Sequence, residues 1–209
     1  MKTSTGLTLL LLLTLLTGPG PARAETAAAI IRMQGQTQAV DPAGARILAV
    51  GDPVRPGDHL RTGPQARLWL RFTDGMELTL GENAEMVVEG FSWSPAMGQG
   101  KADLGLVQGT FLLESGLVGK LPDHPLVVRT PLASVGVRGT RFWGGPLDSP
   151  LNVLLLEGRV VVTSPAGSVE LNEPGAGTSL SGPDEIPHSP TVWSSDQVAR
   201  AFATVSFGK

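Results

Sequence analysis

Four carboxylates, Asp74, Glu77, Glu82 and Glu85, crowd one short stretch of this 209-residue chain. They are its densest set of groups able to do chemistry. Two carboxyls roughly 5–10 Å apart would serve a glycosidase, one as acid and the other as base or nucleophile. A pair such as Glu77 with Glu82 or Glu85, set in a cleft, would make the chain a polysaccharide hydrolase. The same residues also read as solvated side chains around a hairpin, because an Asp in a tight turn is expected there for its backbone geometry alone.

Other catalytic inventories are thin. The three histidines, His59, His124 and His188, lie far apart beside turn residues, and no His-x-x-x-His or Glu-x-x-His spacing exists. A zinc site would have to be assembled from distant residues. There is no cysteine nucleophile and no Gly-x-Ser-x-Gly elbow. Gly136-Val137-Arg138-Gly139 lies between strands rather than opening a helix, so it does not cradle phosphate. No metal and no organic cofactor is implied.

A binding strip is better supplied. Arg67, Trp69 and Arg71 alternate with Leu68, Leu70 and Phe72, so one strand sends the two sets to opposite faces. A Trp between two guanidinium groups can stack on a sugar ring or a partner aromatic while the arginines pair with carboxylates. Alternatively a neighbouring loop, coil or the C-terminal segment covers Trp69.

The elements that carry these residues are short strands. Glycine (27) and proline (17) are spread along the whole chain and leave little room for long helices. Strands are expected at 66–72 and 76–80, joined at Thr73-Asp74-Gly75, where Gly75 tolerates positive φ. Others are expected at 104–107, 110–113, 126–129, 134–137, 140–143, 152–156, 160–163 and 168–171, with a weaker one over 83–90. The continuously apolar Val153-Leu154-Leu155-Leu156 predicts a strand covered on both faces. Residues 91–101, rich in Gly, Ser and Pro around Trp93, read as a loop.

The segments 106–115 and 155–164 echo each other, each with an apolar strand meeting a glycine (Gly109, Gly158) and a second strand leaving it. That spacing suits stacked coils, and a twisted sandwich would use the same residues. The expected class is all-β, a β-solenoid or β-roll-like stack of short strands with a short C-terminal helix.

Both ends differ from this body. Lys2, an apolar run from Leu7 to Leu16, Gly18-Pro19-Gly20-Pro21 and Ala22-Arg23-Ala24 form a secretory leader, expected to be cleaved after Ala24. The run is about half the length needed to span a bilayer. Without cysteine the chain has no lipidated anchor and no disulfide. Lys2 and Arg23 account for two of the 16 basic side chains, leaving 14 against 19 acidic ones, a balance that argues against nucleic acid as a ligand. Residues 181–193 read as a Pro-rich linker. Ser194-Ser195-Asp196 offers caps for a helical tail over 194–209, with Val198, Ala201, Phe202 and Val205 at helical spacing.

From about 51 to 178 the motifs fall in a characteristic order: Gly57-Asp58, Arg61-Thr62-Gly63, Asp74-Gly75, Gly109-Thr110-Phe111, Arg129-Thr130-Pro131, Arg138-Gly139-Thr140 and Glu157-Gly158. This stretch resembles the FecR domain, the periplasmic sensory region of cell-surface signalling regulators. In the regulators a cytoplasmic helical domain and one membrane span accompany that region, which reads a TonB-dependent receptor. Neither part is legible in this chain. The resemblance therefore implies a periplasmic or secreted, non-catalytic recognition module within 25–180, with an envelope protein or polysaccharide as partner. Arg138, Gly139 and Thr140 read as structural, with Glu157 as the expected carboxylate partner of Arg138.

Overall fold

The computed structural model describes residues 25–41, 44–123 and 125–208. The expected leader, His124 and Lys209 lie outside the described residues. The chain runs through β1 (Ala28–Gln34), β2 (Thr37–Asp41), β3 (Gly44–Ile47), β4 (Pro53–Val54), β5 (His59–Thr62), β6 (Arg67–Phe72), β7 (Glu77–Leu80) and β8 (Glu85–Ser94). It continues through β9 (Gln99–Gln108), β10 (Phe111–Glu114), β11 (Leu126–Arg129), β12 (Ser134–Gly145), β13 (Leu151–Ser164), β14 (Gly167–Leu171), β15 (Ala176–Leu180) and β16 (Thr191–Val192). It closes on α1 (Ser195–Val205).

Period-two alternation builds these strands. In β6 and β7, Leu68, Leu70, Phe72, Leu78 and Leu80 are all buried, while their alternates face outward. Each such leucine contributes about 2 kcal/mol of burial. The hairpin between the two strands closes with Phe72 N–H donating to the Met76 carbonyl at 2.8 Å, and Gly75 takes the positive φ of 87°.

The fold is mostly β, as the composition implies, but its coils are not stacked as in a regular solenoid. Strands pair antiparallel throughout except for β9 with β11, whereas a β-helix stacks its strands in parallel. All the strands belong to one connected sheet that curls as a half-barrel. One limb is β4-β1-β6-β7-β10 continued by the later half of β12, the first half of β13, β15 and β16. The other limb is β3-β2-β5-β8-β9-β11 continued by the first half of β12, the later half of β13 and β14. Phe72 of one limb and Phe91 of the other meet at 5.1 Å between ring centroids, across a core that draws on both limbs.

Strands pass from limb to limb at glycines. The expected strand pairs 134–137 with 140–143 and 152–156 with 160–163 are each one long strand, β12 and β13, bent at a register shift beside Gly139 and Gly158. Gly158 has φ 81°, and a Cβ there would run into the Gly139 carbonyl oxygen. Gly109, between β9 and β10, has φ 87°, and a Cβ there would strike the Cα of Ala84. The sequence echo thus marks two corners of one curled sheet.

The expected loop over 91–101 is instead the end of β8, a turn and the start of β9, a hairpin whose register runs Phe91 to Ala102 through Ser94 to Gln99. β1 and β15, which the sequence does not announce, complete the first limb. Among the described residues no helix is long and apolar enough to cross a membrane.

Candidate interaction surface

Most polar motif residues are spent on holding the corners. Asp74, expected as a solvated turn residue, is buried and accepts hydrogen bonds from the backbone N–H groups of Met76 and Val118, both at 3.0 Å. It thereby staples the β6–β7 hairpin to the segment after β10. Asp58 is likewise buried, accepting from Arg55 N–H at 2.9 Å and from the Arg46 guanidinium. Thr62 donates to the Gly81 carbonyl at 2.6 Å and accepts from Ala84 N–H at 2.8 Å.

Thr140 donates to the Arg159 carbonyl at 2.6 Å and accepts from Arg138 N–H at 3.2 Å, across the β12–β13 bend. These are buried polar groups satisfying the backbone where ladders break. The expected ion pair of Arg138 with Glu157 is not formed. The bend at Gly139 shifts the register, so Arg138 faces Arg159 and Glu157 faces Arg141.

On the outer face of the first limb, cross-strand register sets out two rows. Arg71, Glu77, Glu114 and Arg141 succeed one another across β6, β7, β10 and β12, with Glu157 beyond. Beside them run Arg32, Trp69, Thr79, Leu112, Trp143 and Leu154. The helix α1 covers one end of this second row. Trp143 and Leu154 are buried under Ala201 and Val205, which explains why β13 is apolar on both faces. The Trp143 indole N–H donates to Thr204 Oγ1 at 3.0 Å, and Trp193 meets Trp143 edge-on at 6.0 Å.

The helix starts in a capping box between Ser194 and Gln197, and Arg200 clamps it with two bonds to Asp148 at 2.8 and 3.0 Å. That guanidinium holds the Asp148 carboxyl below its ordinary range.

The other end of the row stays open. Trp69 is half-buried in a groove of about 250 Å³ between the strand face and the residues that follow α1. Thr79 and Leu112 share its floor, Glu114 and Arg141 form one wall, and Phe207 forms the other. Of the three strip residues, Arg67 is half-buried and donates to the Ala66 and Ala203 carbonyls at 2.8 and 3.3 Å. Arg71 makes two bonds to Glu77 Oε1 at 3.0 and 2.8 Å, and its guanidinium carbon lies 5.8 Å from the Trp69 ring centre. Structure thus brings Trp69 and Arg71 together and assigns Arg67 to the helix. Thr79, Leu112, Glu114 and Arg141 were not legible as groove residues, because only strand pairing places them beside Trp69.

A family model described as FecR protein matches residues 58–161. The chain carries a FecR domain. The matched span is narrower than the stretch over which its motifs recur, and it runs from β5 into β13. Two crystal structures of a candidate anti-sigma factor from Parabacteroides distasonis ATCC 8503 share the fold, with TM-scores of 0.51 and 0.54 at 15% and 16% identity. The likeness covers 68% of this chain and 62% of those chains. A comparison with curated proteins gave no match.

Within the FecR domain the hairpin carboxylates are each engaged separately. Glu77 is held by Arg71, Glu82 accepts from Gln65 N–H at 2.7 Å, and Asp74 is interior. Glu85 accepts from Arg61 at 2.9 Å with His59 at 3.6 Å. The Arg61 hydrogen bond, outweighing burial, draws the Glu85 carboxyl below its ordinary value. On the second limb Arg129 of the Arg-Thr-Pro element bridges Glu89 at 2.8 Å and Asp103 at 2.9 Å, and Lys101 meets Asp103 at 2.7 Å. Burial alone would raise the Asp103 carboxyl, but Lys101 and Arg129 together bring it below its ordinary value.

Proposed function

We propose that this protein is a non-catalytic recognition module of the bacterial envelope, exported by its leader and released after Ala24. It offers the outer face of its FecR domain to an envelope protein or polysaccharide, with Trp69 and Arg71 at the centre of contact and Arg67 holding the neighbouring helix in place. The observation that carries this reading is the division of labour among polar groups. Asp58, Thr62, Asp74 and Thr140 are committed to backbone, the hairpin glutamates to separate partners, and Trp69 alone of the strip's side chains opens into a groove. The likeness to FecR-type regulators supports a sensory rather than a chemical role. A hydrolytic role gains no support from the scattered engagement of Glu77, Glu82 and Glu85.

Affinity capture from an envelope extract tests the proposal. The exported chain should retain a partner that a folded Trp69→Ala variant fails to retain. Retention of the same partners by both would remove Trp69 from the contact surface.

A further inference from the structure

We infer that the Trp69 groove is a saccharide site, sized for one neutral pyranose ring of a longer glycan. This rests on the reading of the outer face as a contact surface and names its ligand. Three observations lead there. First, the floor runs from the Trp69 ring across Thr79 to Leu112, an aromatic face open to the C–H face of a sugar ring with an aliphatic side chain beyond it.

Second, the polar groups of the floor and wall have unused hydrogen-bonding capacity. Thr79, Glu114 and Arg141 make no side-chain hydrogen bond among the described residues, and the Arg141 to Glu114 ion pair spans 3.7 Å. That is beyond hydrogen-bond length, whereas the adjacent Arg71 and Glu77 are closed on each other at 2.8 Å. An acceptor, a donor and a hydroxyl therefore face one small space. Third, the volume of about 250 Å³ lies just below the range of drug-sized pockets and accommodates a single sugar ring.

Charge and backbone argue against the competing ligands. Arg141 and Glu114 alternate in sign along the wall, which favours hydroxyls over either an anion or a cation. The groove lies on the face of β6, β7 and β10, interior strands of the sheet, so no free ladder is offered to an extended peptide. The larger groove near Gln36 and Gln38 has its Arg61 and Glu85 already paired and no aromatic shelf.

Titration calorimetry of the exported chain with neutral tetrasaccharides of glucose, galactose, mannose and N-acetylglucosamine tests the site. At least one should bind saturably, Trp69→Ala and Glu114→Gln should each weaken it roughly tenfold or more, and Trp93→Ala should leave it intact. Folding of each variant is checked by circular dichroism. Absence of saturable binding to all four at about 10 mM overturns the proposal, as does binding that survives both groove substitutions. If saccharides fail while Trp69→Ala still abolishes capture of a protein, the ligand class falls and the contact surface stands. If neither responds to Trp69→Ala, both fall.

Discussion

Asp74 and Thr140 show how polar side chains are absorbed by architecture. Asp74 answers two buried N–H groups, and truncating it leaves both without an acceptor. Asp74→Ala should therefore lower unfolding stability by about 2–4 kcal/mol in urea titration. A loss below roughly 0.5 kcal/mol would show that water replaces the carboxylate. Thr140→Val keeps the volume but removes a donor and an acceptor, and should cost about 1–3 kcal/mol by the same measurement. Thr140 already read as structural in the sequence, whereas the buried role of Asp74 was not legible beforehand. Asp-Gly in a turn is equally suited to a solvated and a buried aspartate, and the choice depends on Val118, far along the chain.

Glycine corners and the terminal helix act at the scale of elements. At Gly158 the positive φ and the Gly139 carbonyl together exclude a side chain. Gly158→Ala should cost at least about 2 kcal/mol, visible as a lower thermal midpoint. An unchanged midpoint would mean the β12–β13 bend can relax. The helix α1 depends on docking as well as on its own capping box. Ser194→Ala should cost about 1 kcal/mol of stability, read from the urea midpoint of the intact chain. The caps and the 3.6-residue spacing made this helix legible in advance. The β8–β9 hairpin was not, because beyond Val88 its side chains leave the core and Phe91 and Trp93 are only partly covered, which weakens the alternation.

Across the whole molecule, depressed carboxyls tie stability to pH. Glu85 and Asp103 titrate lower in the folded chain than in the unfolded one. The unfolded chain therefore binds protons first on acidification. The contribution of these two groups is full above about pH 5, begins to fall through their ordinary unfolded values and is lost as pH drops through their lower folded values. Asp103→Asn should be less stable than the native chain at pH 7 and should lose less of its urea midpoint on going to pH 3. An equal loss in both proteins would show that Asp103 carries none of the acid sensitivity.

Local pattern determined which residues point inward, where the chain turns, and where the last helix begins. Alternation, glycine and caps act between near neighbours, so the sequence alone carries them. Tertiary structure decided what the outward faces do. Trp69 and Trp143 are both outward residues of the same cross-strand row. Only the return of α1 over β12 and β13 buries one and leaves the other on an open groove, a contact between segments that no short window of sequence contains.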